Sequence, residues 1–301
     1  MKKLLVTGGS GFLGGNLLKA AAGRWMRHAT FMSGEIEASA AESVYHLDLR
    51  DPDEINSVVS KVSPDVIIHT AAMSSLDECV NNKEDAWSCN VTGTENLIVA
   101  ARESNARFVH VSTDMVFAGD KGLYDEKHVP KPVCYYGRTK LESEKSAEVM
   151  GGNHCVARCP LLYGWSQNSR ACFTERMIEK FKDGSKVTLF TDEYRNPAHV
   201  GNISEILLEL AASNDVVGLY NICPDDKLSR YEFGSMVSEV FGLNKELLVP
   251  ALSRDIEFSD LRPRDCSMVN GKAKGVLKTP LYSAEQGLAM MKADVAEKDE
   301  S

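Results

Sequence analysis
The sequence holds no long run of lysine or arginine, and its 34 basic residues are outnumbered by 43 acidic ones, for a net charge of -9. A nucleic-acid groove or an acidic membrane surface needs clustered positive charge, so both are excluded as partners, while a small anion can still be held locally. No apolar stretch is long enough to cross a bilayer. The apolar start Leu4-Leu5-Val6 is interrupted by glycines from Gly8 onward, too early for a signal peptide. Eight cysteines are scattered without a CxxC pair or neighbouring histidines, so no disulfide framework and no metal site is expected. Cys155 and Cys159, the closest pair, read as packing near a strand. A reducing cytosol, hence a cytoplasmic location, is the expectation. Internal repeats and low-complexity linkers are missing too.

What is present is enough chain for a large core: 301 residues, 43% of them hydrophobic. Short apolar runs alternate with helical patterns through the first half. Runs fall at Lys3 to Thr7, Thr30 to Met32, Val44 to Leu47, Asp65 to His69 and Arg107 to Ser112, with helices to about Ala22 and from about Ala86 to Glu103. Runs such as "DVIIH" and "RFVHVS" are apolar on both faces, which suits parallel strands covered by helices on each side. The alternation predicts an α/β fold, a doubly wound parallel sheet of Rossmann type over residues 1–160. From Leu161 the regularity loosens into a Trp/Gln/Asn/Ser-rich loop, a helix near Phe173 to Phe181 and shorter mixed elements. Residues 161–290 therefore read as a smaller, mainly substrate-binding α/β portion, with some elements returning to the sheet. The charged stretch 291–301 reads as a flexible tail.

The strand "KKLLVT" runs straight into "GGSGFLGG", which places Gly8, Gly11 and Gly14 at three-residue spacing before an apolar helix. Glycine allows a sharp turn out of the strand, close approach of a pyrophosphate and tight helix–strand packing, with the helix N-terminus facing the phosphates. Strand before and helix after turn a weak motif into a dinucleotide site. An acid at the end of the second strand would hold the ribose hydroxyl of NAD; a small residue there leaves room for the 2'-phosphate of NADP. Ser33 is small, and Arg24, Arg27 or His28 could help neutralise a phosphate, whereas Glu35 argues the other way. NADP is the favoured cofactor, with NAD left open. Asp48, after the third strand, could accept a hydrogen bond from adenine or could be an ordinary surface acid.

In "PVCYYGRTKLESEK", Pro130 and Pro132 place a helix start close to Val133. Tyr136 and Lys140 then share a face, while Tyr135 is turned away as packing or a substrate-side wall. A phenol with a pKa near 10 is a sluggish acid or base at neutral pH and needs a neighbouring cation. Lys140 is placed to supply it, although Gly137 weakens the helix. Upstream, "HVSTDMVFAG" sets Ser112, Thr113 and Asp114 just past an apolar strand, at the sheet edge where ligands bind.

Taken together, the glycine triplet, "STDMVF" and "YYGRTK" resemble the extended short-chain dehydrogenase/reductases, and within them the dTDP-4-dehydrorhamnose reductase family. Counterparts run in order along nearly the whole chain, including "PDVIIHTAAMSSLDEC", "FTDEYRNPAHV", "GLYNIC" and "LRPRDCSM". The resemblance implies that Thr113, Tyr136 and Lys140 are catalytic. It implies that Gly8, Gly11, Phe12, Leu13, Asp48 and Leu49 line the cofactor, that Ala71 and Ala72 pass beneath it, and that Tyr136 and Lys140 also touch it; Gly14 joins this set from the glycine spacing, and Ser33, standing in place of the family's acidic residue, from its small size. Ser74, Asp114, Met115, Asn196 and Arg262 fall on the substrate side. Arg262 suits bidentate pairing with a nucleotide diphosphate, its alternative being an ion pair with Asp260 or Asp265. Asn196 and Arg195 are both weaker candidates, since the proline beside them suggests a shaped loop first.

Several positions depart from that pattern. His69 stands where Asn is usual, Met73 and Met115 replace polar residues, and Leu161 replaces a tryptophan, with Trp165 nearby. The expected reaction is NAD(P)H-dependent reduction of a 4-keto-6-deoxy nucleotide sugar, with Tyr136 as proton donor, Lys140 tuning it and Thr113 polarising the carbonyl. Two rivals stay open. One is a nucleotide-sugar epimerase or dehydratase on the same frame; the other is a non-catalytic, NADP-binding regulatory subunit. The resemblance offers both monomers and metal-linked dimers, so a homodimer remains open as a partner beside the small nucleotide-sugar substrate.

Overall fold
A computed structural model describes residues 1–167 and 171–299. Asn168 and Ser169 of the polar loop, and Glu300 and Ser301 of the expected tail, lie outside the described residues. The apolar runs become β1 (Lys3–Thr7), β2 (Met26–Phe31), β3 (Ser43–His46), β4 (Val66–His69), β5 (Arg107–Thr113) and β6 (His154–Cys159). With a last strand, Gly218–Asn221, they form one seven-stranded sheet in the order Gly218–Asn221, β6, β5, β4, β1, β2, β3. Every neighbouring pair is parallel. The chain winds outward from β1 to β3, then crosses to β4 and winds the other way. A crevice therefore opens at the carboxyl ends of β1 and β4, the place where such sheets take ligands.

Both faces are covered, which is why the strands are apolar on both sides. On one, α1 (Phe12–Ala21) and the helix Val200–Ala212 bury Leu17, Leu18, Ile203 and Leu207 against Leu4, Val6 and Ile68. On the other, α2 (Pro52–Val62) packs Ile55, Val58, Val59 and Val62 at helical spacing against Leu5, Ile67 and Phe108. Asp51 starts α2 by accepting the amides of Asp53 and Glu54, and Pro52 fits the first helical position. Beyond β4 come α3 (Leu76–Asn81), α4 (Lys83–Trp87) and α5 (Gly93–Glu103), the last two joined by a π-turn at Ser88–Thr92. The helix α6 (Tyr135–Glu148) follows β5.

Past Leu161 the strands shrink. Tyr194–Arg195 pairs with Leu228–Ser229, Ala198–His199 with Leu162–Tyr163, and Val187–Phe190 with Leu248–Ala251. A separate core of Tyr163, Met177, Phe181, Leu189, Phe233 and Leu248 holds them. The helix Ala284–Asp299 joins this core through the fully buried Leu288 and Met291, so order continues into the stretch read as a tail. Among the described residues no helix is long and apolar enough to cross a membrane.

Candidate active site
The glycine turn is tight for a measurable reason. Gly8 has φ +73°, and a Cβ on it would lie 2.7 Å from the Ala71 Cα; one on Gly14 would lie 2.1 Å from the Gly8 carbonyl oxygen. The turn is thereby pressed between β1, α1 and the segment after β4, with Ala71 against it and the half-buried Ala72 next in that segment. Gly11 sits at the start of α1, with Phe12 and Leu13 opening the helix. Ser33 is exposed just past β2, and its carbonyl accepts from the Ser10 hydroxyl at 2.8 Å. Asp48 is held by Arg50 at 2.7 to 3.0 Å, and this hydrogen bonding keeps its carboxyl below the usual range. Leu49 is buried against Gly93, where a Cβ would come within 2.8 Å of the leucine.

Gly137, a weak point for a helix by propensity, is what lets α6 approach: a Cβ there would lie 2.2 Å from the Met115 carbonyl. The close contact sets Tyr136 beside Thr113 at the end of β5. Burial pushes the Tyr136 phenol up, with the nearby Cys79, Asp114 and Cys134 adding to the shift, while the Thr113 hydroxyl against it works the other way. Lys140 is buried, and burial lowers it from 10.5 to about 8, opposed by Glu144. Its ammonium lies 3.4 Å from Nε2 of His110. Tyr135 is turned away, its hydroxyl donating to the Lys83 carbonyl at 3.2 Å.

Beneath this trio lies a polar floor that spacing alone does not reveal. Glu144, one turn beyond Lys140, is bound by Arg158 through Nε at 2.9 Å and Nη2 at 2.7 Å and also accepts from Ser112. His69 is 2.7 Å from the Thr7 hydroxyl and 3.0 Å from that of Thr94. Because Thr94 donates to the Asn90 carbonyl at 2.7 Å, His69 Nε2 must donate to Thr94 and Nδ1 must accept from Thr7. Burial, helped by the Lys140 charge, lowers His69 to about 3 and keeps it neutral. Imidazole thus bridges β1 to α5, two partners on opposite sides of one ring.

Asn90 was missed from sequence. It lies in the π-turn, buried, with its carbonyl oxygen accepting from the Met73 amide at 2.8 Å. Its amide nitrogen donates to the Met73 carbonyl at 2.9 Å and to the Thr139 hydroxyl at 3.0 Å. It therefore ties the segment of Ala71 and Ala72 to α6. No periodic signal marks it, because Ser88, Thr92 and Thr94 surround it with other polar residues.

On the other side of Thr113, Asp114 is buried, and burial pushes it up while Arg195, 3.5 Å away, pulls it back. Arg195 is otherwise spent on the carbonyls of Tyr194, Pro263 and Arg264. Asn196 is fully buried with its amide engaged on the backbone of Pro224 and Met268, a geometry that shapes the loop and leaves no atom for a ligand. Met115 is half-buried and Ser74 is exposed in the segment after β4. Arg262 takes neither expected acid: Asp260 caps the Tyr135 amide at 2.7 Å, and Asp265 pairs with Lys227. Its guanidinium instead stacks on Phe258, 4.2 Å from the ring centroid.

A family model described as the RmlD substrate binding domain matches residues 1–297. The chain belongs to this family. The resemblance to extended short-chain dehydrogenase/reductases is thus borne out over the whole fold. A protein called "Probable low-salt glycan biosynthesis reductase Agl14" from Haloferax volcanii is 27% identical over 292 residues, 96% of either chain. A dTDP-4-dehydrorhamnose reductase from Aggregatibacter actinomycetemcomitans is 30% identical over 239 residues, 77% of each. Methionine adenosyltransferase 2 subunit beta from Bos taurus is 27% identical over 275 residues, 88% of this chain and 81% of that one. Among solved structures of the family's fold, a hypothetical dTDP-4-dehydrorhamnose reductase from Sulfolobus tokodaii has a TM-score of 0.82 at 29% identity, covering 93% of this chain and 97% of its own. One from Bacillus anthracis, in complex with NADP, superposes with a TM-score of 0.83 at 24% identity, covering 97% and 99%.

Proposed function
We propose that this chain is an NADPH-dependent reductase of a 4-keto-6-deoxy nucleotide sugar. The observation that carries the reading is Thr113 against Tyr136, one helical turn from a buried Lys140, at the sheet edge reached by the glycine turn. The cradle fits a dinucleotide: a Cβ at Gly8 or Gly14 would fill the space against Ala71 or the turn itself. When bound there, the nicotinamide supplies the hydride for the sugar carbonyl. Thr113 holds the carbonyl oxygen through its hydroxyl, and the Tyr136 phenol, kept protonated by burial, gives its proton to the developing alkoxide. Lys140 steadies the phenolate left behind and can hold the nicotinamide ribose hydroxyls. Ser33, exposed and small at the end of β2, leaves room for a 2'-phosphate, and a solved family member carries NADP.

Met115 stands where a dehydratase of this superfamily carries Glu, which favours reduction over elimination. The regulatory-subunit reading draws on Met73 and Met115 replacing polar groups and on the methionine adenosyltransferase relative. Purified protein given NADPH and a panel of 4-keto-6-deoxy nucleotide sugars separates the readings. Reduction predicts NADPH loss with one of them; binding of NADPH without turnover of any sugar supports the regulatory subunit. NADPH should also raise the melting temperature more than NADH does.

A further inference from the structure
His69 and His110 are register partners on the parallel strands β4 and β5, so their rings lie side by side, stacked with centroids 5.3 Å apart. Their partners differ. Both nitrogens of His69 are engaged, one by Thr7 and one by Thr94. His110 is fully buried and uses Nε2 alone, 3.4 Å from the Lys140 ammonium and 2.9 Å from the Ser143 hydroxyl, while its Nδ1 is buried without a partner. Among the described residues, His110 is the one acceptor hydrogen-bonded to that ammonium. Besides burial, the groups bearing on Lys140 are Glu144 on α6, Cys89 in the π-turn and Cys159 on β6. Burial pushes both thiols up, Cys159 to about 12, and keeps them neutral. Glu144 is committed to Arg158 and Ser112. Burial, with the charges of Lys140 and His69, holds His110 well below 6.5, so its ring is neutral too.

A neutral imidazole has one donor and one acceptor nitrogen, and its neighbours decide which is which. The Ser143 hydroxyl also lies 2.8 Å from the Lys140 carbonyl. Without a cation, the best-satisfied arrangement puts the hydrogen on Nε2: it donates to Ser143 Oγ, the hydroxyl donates to the carbonyl, and only a lone pair on Nδ1 is left over. An ammonium at 3.4 Å reverses that order. A hydrogen on Nε2 would then face a buried cation that has no other protein acceptor, which costs more than an unpaired N–H at Nδ1. We propose that His110 is a positioning residue that accepts from the Lys140 ammonium through a bare Nε2 and so holds the cation, charged, on the face of α6 that carries Tyr136. The orphaned Nδ1 is the mark of a ring arranged for the lysine. What the held cation then does rests on the reductase reading; the hydrogen bond itself does not. One ammonium hydrogen goes to His110, and two remain for the phenolate and the nicotinamide ribose.

The test reads the tautomer directly, by long-range proton–nitrogen correlation NMR on the full chain carrying nitrogen-15-labelled histidine and saturated with NADP, at neutral pH. His110→Phe identifies the His110 signals by their disappearance. The wild type should show an unprotonated Nε2 and a protonated Nδ1 at His110, and Lys140→Met should exchange the two. A protonated Nε2 in the wild type, or the same tautomer in wild type and Lys140→Met, overturns the proposal. A second readout follows from the reaction. In NADPH oxidation with a 4-keto-6-deoxy nucleotide sugar, His110→Phe keeps the ring stack but removes the acceptor, so the alkaline fall of kcat should move to lower pH by about one unit with KM for the sugar unchanged. His110→Gln, whose amide oxygen can accept in place of Nε2, should return most of that shift. An alkaline fall at the same pH in wild type and His110→Phe overturns the positioning role. Tautomer exchange in a protein that reduces no keto-sugar nucleotide upholds the His110–Lys140 bond and overturns the reductase reading instead.

Discussion

The proposed cofactor side and the proposed substrate side of the crevice are built in opposite ways. Toward β1, β4 and α1 the wall is backbone: glycine turns, alanines and long parallel strands, where a single added Cβ collides at 2.1 Å. Toward the carboxyl-terminal portion the wall we propose is side chains, Arg195 on a strand of two residues and Arg262 on a loop. A backbone wall suits a ligand that never changes. A side-chain wall can be altered one residue at a time, which fits a chain whose relatives are named as a dehydrorhamnose reductase, a glycan biosynthesis reductase and a methionine adenosyltransferase subunit.

If the two sides are separable, damage to the chemistry between them should leave cofactor binding intact. Tyr136→Phe removes the proposed proton donor and should slow reduction by about 10²- to 10⁴-fold while the NADP dissociation constant stays unchanged, checked by steady-state kinetics and calorimetry. A matching loss of NADP affinity would break the separation. Next in size, Glu144→Ala strands Arg158 in the interior and should cost about 3–5 kcal/mol in urea unfolding, as expected for half of a buried ion pair. That effect would place the floor of the site, like the cofactor side, among the rigid parts.

A smaller change is expected at His69. His69→Phe leaves Thr7 without its acceptor and should cost about 1–3 kcal/mol by the same measurement. The smallest effect is in pH. Lys140 is lowered in the folded state from 10.5 to about 8, so its charged form is disfavoured there. Measured against Lys140→Met to cancel other groups, the wild type should gain stability as pH rises through about 8 toward 10.5. Reduction should fall over the same range, because the cation that steadies the phenolate is lost.

The same contrast explains what could be read from sequence. Glycine spacing, apolar runs and the four-residue step from Tyr136 to Lys140 are local, so the sheet and that pair follow from neighbouring letters, whereas Thr113 joined them through the family resemblance. Gly137 looked like a flaw in α6 because its reason, the Met115 carbonyl, belongs to another element. Asn90, His69 with Thr7, and Glu144 with Arg158 pair across elements and carry no period. Strands of two residues leave no alternation to detect, so the substrate side had to be seen folded. Arg262 was singled out from sequence for its chemistry alone.

The reaction itself is most directly tested with NADPH carrying deuterium at the transferable position, mixed with the protein and a 4-keto-6-deoxy nucleotide sugar, the product being read by mass spectrometry. Reduction through Thr113, Tyr136 and Lys140 predicts one deuterium on C4 of the sugar for each NADPH consumed. An altered sugar with no NADPH consumed, or an unaltered sugar with NADPH still bound, would contradict it.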